Sequence, residues 1–235
     1  MSALRDGVAA AGYVRLRPEQ SRAALAAVPD SALAAFAGSW DRLETDAFMA
    51  DGGRYRRRRI ANFLTCPGLA GHVRGLHRPH FQAVVHNSLN GGVDRWFAPC
   101  EDDTIANPAC QALLELGRPV AEALEPGVPL FAEMHQFRIE AQAGSPGYPT
   151  PEGVHQDGVT CVLIAMLRRE NLTGGETVVT DLDRRELARF TLDGLLDLVL
   201  LDDRRVAHGV SPIAPTDPER PSMRDVLVLT WKRAR

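Results

Sequence analysis

From Phe131 onward the chain keeps a hydrophobic period of two, and this limits its possible folds more than any other feature. Candidate strands run Phe131–Ala141, Gly158–Leu167, Glu176–Thr180, Leu187–Thr191, Leu195–Leu201, Val206–Pro212 and Asp225–Trp231. Turn signals separate them: Gly144-Ser145-Pro146-Gly147, Thr173-Gly174-Gly175, Asp193-Gly194, Asp202-Asp203 and the segment Pro215 to Pro221. Seven short strands in about a hundred residues leave no room for crossover helices, which points to a double-sheet jelly roll rather than a parallel sheet.

The part before residue 131 reads differently, as a helix-rich support for that β core. Gly12 to Leu16 alternates as a short strand, and Pro18 opens an Ala/Leu-rich helix reaching about Ala37, broken and recapped at Pro29-Asp30-Ser31. Asp51 to Phe63 is a turn entering an arginine-dense strand. A further helix spans Asn107 to Leu124, closed by Pro126-Gly127. At 235 residues and 45% apolar content, residues 1–235 read as one domain with one sizeable core.

Composition removes several function classes. A net charge of −3 gives no general pull toward nucleic acid or anionic membrane. No apolar run is long enough to span a bilayer, and no secretory signal is visible. Cys66, Cys100, Cys110 and Cys161 are scattered with no C-x-x-C, which reads as reduced thiols in a cytoplasmic protein. Oligomeric state is left open.

Against this background His155-Gln156-Asp157, followed after fifty intervening residues by His208, is the chemically informative set. Residues i and i+2 on extended backbone point to one side, so His155 and Asp157 can converge at the mouth of the β core, where a Gly/Pro-rich loop meets a strand. His208 enters from another strand. Two imidazoles and one carboxylate occupy one face of an octahedral iron(II) ion and leave the remaining positions for chemistry. Each histidine alone would read as a surface or satisfied core residue. Taken with the strand placement and a later arginine, the three read as one metal site. His72, His77, His80, His86 and His135 have no partner carboxylate at strand spacing and are unassigned. His135, alternating with Phe137 and Ile139, is expected in the core.

Arg224 opens the last strand, sixteen residues beyond His208. Its guanidinium suits bidentate capture of a carboxylate in a dry pocket. Arg220 is a rival four residues earlier, and Arg224 is preferred because a strand sets its direction.

The motifs His155-Gln156-Asp157-Gly158, Thr173-Gly174-Gly175-Glu176, His208 to Ile213 and Arg224 to Val228 resemble the bacterial iron(II)/2-oxoglutarate dioxygenases that hydroxylate free L-amino acids, the isoleucine dioxygenase type. The likeness extends to Asp51 to Arg59, Asn90 to Pro99 and His135 to Ile139, and so covers the chain from about residue 10 onward. It implies a double-stranded β-helix, a jelly-roll form, with His155, Asp157 and His208 as iron ligands and Arg224, or less securely Arg220, on the distal carboxylate of 2-oxoglutarate. It also implies dioxygen as co-substrate and succinate and CO2 as products.

A free amino acid needs a cation for its carboxylate and an acceptor for its ammonium. Gln136 and Arg138 share one face of their strand, opposite His135, Phe137 and Ile139, and Arg138 is the first candidate for the carboxylate. Tyr148 and Glu152, just before the ligands, are candidates for a lid. The run Arg54 to Arg59 could suggest a nucleic-acid patch, but the acidic neighbours Asp41, Glu44, Asp46 and Asp51 argue against it. Alternation puts Arg57 and Arg59 on one face and Arg56 and Arg58 on the other, one pair ordering the site entry through ion pairs and the other solvated. Two other readings stand beside a free-amino-acid hydroxylase: the same chemistry on a carrier-bound or peptidyl amino acid or a nucleobase, and a non-catalytic jelly-roll binding module.

Overall fold

The computed structural model describes residues 2–234. Helix α1 (Ser2–Ala11), strand β1 (Tyr13–Leu16), helices α2 (Pro18–Ala24) and α3 (Asp30–Gly38), and a single turn of tighter helix (Ser39–Arg42) come first. Then follow β2 (Glu44–Thr45), β3 (Arg56–Thr65), β4 (Val73–Arg74), α4 (Asp102–Ala106) and α5 (Pro108–Leu124). The β-rich part comprises β5 (Leu130–Ala141), β6 (Cys161–Glu170), β7 (Leu172–Gly174), β8 (Glu176–Asp181) and β9 (Glu186–Thr191). It ends with β10 (Leu198–Asp202), β11 (Val206–Val210), β12 (Ile213–Pro215) and β13 (Ser222–Arg233).

The helix break falls where proline demands it. Pro29 sits in extended geometry (φ −62°, ψ 147°) just before α3, and Pro18 starts α2 with its φ already suited to a first turn. Asn107 caps α5, its side-chain oxygen accepting the Ala109 N–H at 2.8 Å.

The architecture is a jelly roll of unequal sheets with helices on one outer face. The large sheet has the order β1-β10-β6-β13-β5-β3-β2, all antiparallel, with β4 against β3. Opposite it lie the sheet β11-β8-β9 and the pair β12-β7. All seven expected strands exist, with two differences of substance. The strand expected from Gly158 begins at Cys161, because Gly158 adopts φ +76° and breaks the extended run. The N-terminal part is also more than support: β3 pairs with β5 over ten residues and so belongs to the β core.

Both faces of the large sheet are buried, and they differ. Outward-facing residues Leu130, Ala132, Met134, Leu163, Ala165, Leu227, Leu229 and Trp231 pack with Leu113, Leu114 and Ala121 of α5 and Phe36 of α3 in one apolar cluster. Gly117 lets α5 pass close to the fully buried Trp231, since a Cβ there would lie 2.3 Å from the indole. Inward-facing Val162, Ile164, Met166, Val199, Leu201 and Val226 meet Val179 of the small sheet in a second cluster. Burying each such side chain contributes about 1.5–3 kcal/mol. Part of the inner face is left unfilled, and that gap is the cavity described below. The four cysteines are free thiols, and among the described residues no helix is long and apolar enough to cross a membrane.

Candidate metal centre and its cavity

His155 and His208 are brought together by their backbones. Each donates its N–H to the other's carbonyl at 2.9 Å, an isolated antiparallel bridge between the loop before β6 and strand β11. Residues paired in this way carry their side chains on the same face. The two rings accordingly lie 4.8 Å apart, centroid to centroid. Asp157 completes the group: its Oδ1 is 3.6 Å from His155 Nε2 and its Oδ2 3.8 Å from His208 Nε2.

These separations exceed a hydrogen bond and resemble the gap an ion fills. Bonds of about 2.1 Å place neighbouring ligands roughly 3.0–3.4 Å apart. The donor chemistry agrees, since His155 Nδ1 lies 3.0 Å from the Gly153 carbonyl. That contact assigns the proton to Nδ1 and leaves Nε2 free to ligate. Burial disfavours a charged His155, but Asp157 and Glu152 outweigh it and raise its pKa to about 9. Burial and then repulsion from His155 lower His208 to about 4. Against the cost of burial, the imidazoles hold Asp157 below the ordinary carboxylate range. A divalent cation suits such a mutually compensating set of donors.

Sequence reasoning missed what holds Asp157. Asp203, classed only as a turn residue, accepts the backbone N–H groups of Asp157, Gly158 and Val159 at 3.0, 2.8 and 3.0 Å. The Gln156 amide donates to the Asp203 carbonyl. From the other side the Gln82 amide lies 3.4 Å from Asp157 Oδ1, and His86 packs so closely on Gly158 that a Cβ would meet its ring at 2.4 Å. Gln82 and His86, from the irregular segment between β4 and α4, therefore flank the centre.

The triad opens into a cavity of about 930 Å³ between the sheets. Register decides what lines it. Arg224 stands opposite Ile139, Val226 opposite Phe137, Val228 opposite His135 and Thr230 opposite Glu133, and all of these face the cavity. On β3, Arg56 stands opposite Ile139 and Arg58 opposite Phe137. Arg224 is 2% exposed, and its Nε and Nη2 have no hydrogen-bond partner among the described residues. Burial, then Arg169 beside it, lower its pKa to about 10. Arg220 lies on an exposed loop outside the cavity lining.

Gln136 and Arg138 point the other way, which reverses the expectation for them. The Gln136 amide donates to Ser39 Oγ at 2.8 Å, and Arg138 is bound to Asp225 at 2.7 and 2.8 Å and to Asp41 at 2.7 Å. Period two establishes which residues share a face. It does not say which face meets the cavity when both are buried. His135 is buried as expected, but in the cavity wall. Of the two arginine pairs, Arg56 and Arg58 are the buried one, while Arg57 and Arg59 pair on the outer side with Glu140 at 2.8 Å and Glu44 at 3.1 Å. Glu152 lines the cavity with Oε1 3.5 Å from His155 Nε2. Tyr148 is partly exposed against Tyr55 and does not line it.

A second group in the same cavity, His80, Glu133 and His135, also gathers metal-type donors. Its spacing differs. Both imidazoles contact one oxygen, Glu133 Oε1, at hydrogen-bond range, 2.7 Å for His135 Nε2. Arg58 Nη2 lies 2.7 Å from His135 Nδ1. A guanidinium only donates, so Nδ1 accepts, Nε2 carries the proton, and a cation already occupies this side of the ring. This group is a hydrogen-bonded network rather than a metal cradle.

Comparison with known proteins agrees with this geometry. Residues 37–230 match the family model described as 2OG-Fe dioxygenase. A curated relative, 3(1)-hydroxy-L-isoleucine 4-dioxygenase of Pantoea ananatis, is 24% identical over 163 residues, covering 68% of this chain and 66% of the relative. The crystal structure of a bsmA homologue from Methylobium petroleophilum PM1 superposes with TM-score 0.90 at 35% identity, over 99% of this chain and 93% of that one. IDO from Bacillus thuringiensis shares the fold with TM-score 0.83 at 17% identity, over 100% of this chain and 99% of that one.

Proposed function

The chain belongs to the 2OG-Fe dioxygenases, and on that premise we propose that it hydroxylates an unactivated C–H of a free L-amino acid. Enzymes of this family use iron(II), 2-oxoglutarate and dioxygen. In this reading His155, Asp157 and His208 hold the iron and Arg224 the distal carboxylate of 2-oxoglutarate. When bound, iron(II) with 2-oxoglutarate would activate dioxygen, one oxygen atom entering the substrate C–H and the other the succinate formed as 2-oxoglutarate loses CO2.

One observation carries the substrate class. Besides Arg224, three of the arginines that line the cavity, Arg56, Arg58 and Arg95, each have a buried nitrogen with no partner among the described residues: Nη2, Nε and Nε respectively. Among the described residues only Asp46 forms an ion pair with this group, through Arg56 at 2.6 Å and Arg58 at 3.9 Å. Uncompensated buried donors are costly unless a ligand satisfies them. The cavity thus has one cationic receptor for the co-substrate and a second for a carboxylate of the substrate. An amino acid acylated through its α-carboxyl, as within a peptide or on a carrier, has no free α-carboxylate to place there. That the curated relative acts on a hydroxy-L-isoleucine supports the same class.

The chain's own residues aim the reaction and keep water out. Phe137, Ile164, Val226 and Val228 form an apolar wall between Arg224 and Glu133, and Gln82 and His86 flank the triad. A substrate carbon held at that wall is positioned by its polar ends and shielded from solvent. Glu152, beside His155, belongs to that enclosure.

The test is succinate release with iron(II) and 2-oxoglutarate across a panel of free L-amino acids, alongside anaerobic monitoring of the iron-to-2-oxoglutarate charge-transfer band. One or a few free amino acids should stimulate turnover and shift the band. Stimulation only by carrier-bound or peptidyl substrates would overturn the reading.

A further inference from the structure

The network His80–Glu133–His135–Arg58 is the strongest feature of the cavity that the iron centre does not use. Glu133 is 7% exposed and His135 3%. Both imidazoles engage Glu133 Oε1, and among the described residues its second oxygen has no hydrogen-bond partner. Burial opposes charge on Glu133, but the two imidazoles hold its carboxyl well below the usual range, so it stays an anion. Burial keeps both rings neutral at neutral pH, with His135 lowered to about 4. A fixed carboxylate with a free oxygen thus stands one imidazole away from the Arg58 guanidinium, which is sandwiched by Phe97 at 3.7 Å and Phe137 at 4.4 Å.

Opposite charges one ring apart on a rigid wall match the two charges of an amino-acid head group. We propose that Glu133, fixed by His80 and His135, receives the α-ammonium of the substrate while Arg58 receives its carboxylate. This deepens the proposed function and rests on it. Position agrees: Glu133 lies opposite Thr230, six residues along β13 from Arg224, or roughly 20 Å of strand. That length accommodates 2-oxoglutarate at one end and the substrate head group at the other, with the apolar wall between them. The substrate side chain then runs along Val228, Phe137 and Ile164 toward the triad, which selects an apolar side chain. Glu152 is the rival acceptor, but its Oε1 lies 3.5 Å from His155 Nε2, where the reacting carbon rather than the head group must reach.

Anaerobic calorimetry on the enzyme loaded with iron(II) and 2-oxoglutarate tests this. It is titrated with the free proteinogenic L-amino acids, L-isoleucine first, and then with the des-amino acid and the N-acetyl derivative of the tightest binder. Wild type should prefer the amine-bearing ligand over both by about 10- to 100-fold, the range for a charged hydrogen bond. Glu133→Gln, whose amide oxygen can still accept from both imidazoles, should bring that preference to near unity while the affinity for the des-amino acid changes less than about three-fold. A merely structural role would weaken both ligands equally, and that result overturns the inference. So does equal affinity of the wild type for the amino and des-amino acids, which needs no variant, and so does transfer of the effect to Glu152→Gln. If the wild type binds no free amino acid at all, the free-amino-acid reading itself fails. That outcome differs from one in which binding occurs without Glu133.

Discussion

Asp203 holds Asp157 from behind, its Oδ1 accepting the Asp157 backbone N–H at 3.0 Å while its Oδ2 takes the next two N–H groups along the chain. The proposed iron ligand thus sits on a loop whose direction is set by a carboxylate forty-six residues away. Because Asp203 is 1% exposed, nothing else replaces these contacts if they are lost.

Asp203→Asn should therefore weaken metal binding without touching a ligand. Supporting contacts of this kind typically contribute 10- to 100-fold in metal affinity, and the unmatched amide should cost about 1–3 kcal/mol of stability. Titration with iron(II) or manganese(II), together with urea unfolding, measures both. Unchanged metal affinity would remove Asp203 from the support of the site.

Replacing Arg224 by Met should raise KM for 2-oxoglutarate steeply, since losing one partner of a buried charge pair costs about 2–5 kcal/mol. Arg220→Ala should leave that KM as it is. Succinate formation at varied 2-oxoglutarate measures the contrast, and equal effects at the two positions would count against Arg224 as the anchor.

Arg138 is expected to behave as a structural residue. Its removal leaves Asp225, 0% exposed, with only the longer contact to Arg168 at 3.4 Å, and breaking such a buried pair costs about 3–5 kcal/mol. Arg138→Met should lower the unfolding midpoint, and the double variant Arg138→Met/Asp225→Leu should regain most of the loss. Substrate affinity, measured at a temperature where the protein is folded, should stay within about three-fold of wild type, against a far larger loss for Arg58→Met.

Acid should destabilise the fold through His135. Burial lowers its folded pKa to about 4, against about 6.5 in an unfolded chain. Between these values the unfolded state binds a proton that the native state refuses, so the contribution is complete above pH 6.5 and is lost as pH falls toward 4. The full span corresponds to roughly 3 kcal/mol. Urea midpoints at several pH values should show a shallower acid slope for His135→Gln than for wild type, whereas parallel slopes would refute the assignment.

Much of this molecule was legible in one dimension. Alternation from Phe131 onward located the strands because a strand between two layers must sort its side chains by parity. Pro18, Pro29 and Asn107 marked helix starts for reasons local to each residue. The proposed ligand set was readable from its context, since His155 and Asp157 share one face where a Gly/Pro-rich loop meets a strand and His208 follows on another strand. The placement of Arg224 on a strand and of Arg220 on a loop also followed from local pattern.

Other features needed the folded chain. The parity that grouped Gln136 with Arg138 could not say that their face meets Ser39, Asp41 and Asp225 instead of the cavity, because both faces of β5 are buried and polar residues occur on each. Arg56 and Arg58 became cavity cations only through the pairing of β3 with β5. His80 reached Glu133 only because a long irregular segment folds back over the sheet. Local sequence determines periodicity, caps and donor types, since these depend on neighbouring residues. Which layer a face meets, and which distant charges share a cavity, depends on contacts between segments far apart in the chain, and these exist only once it is packed.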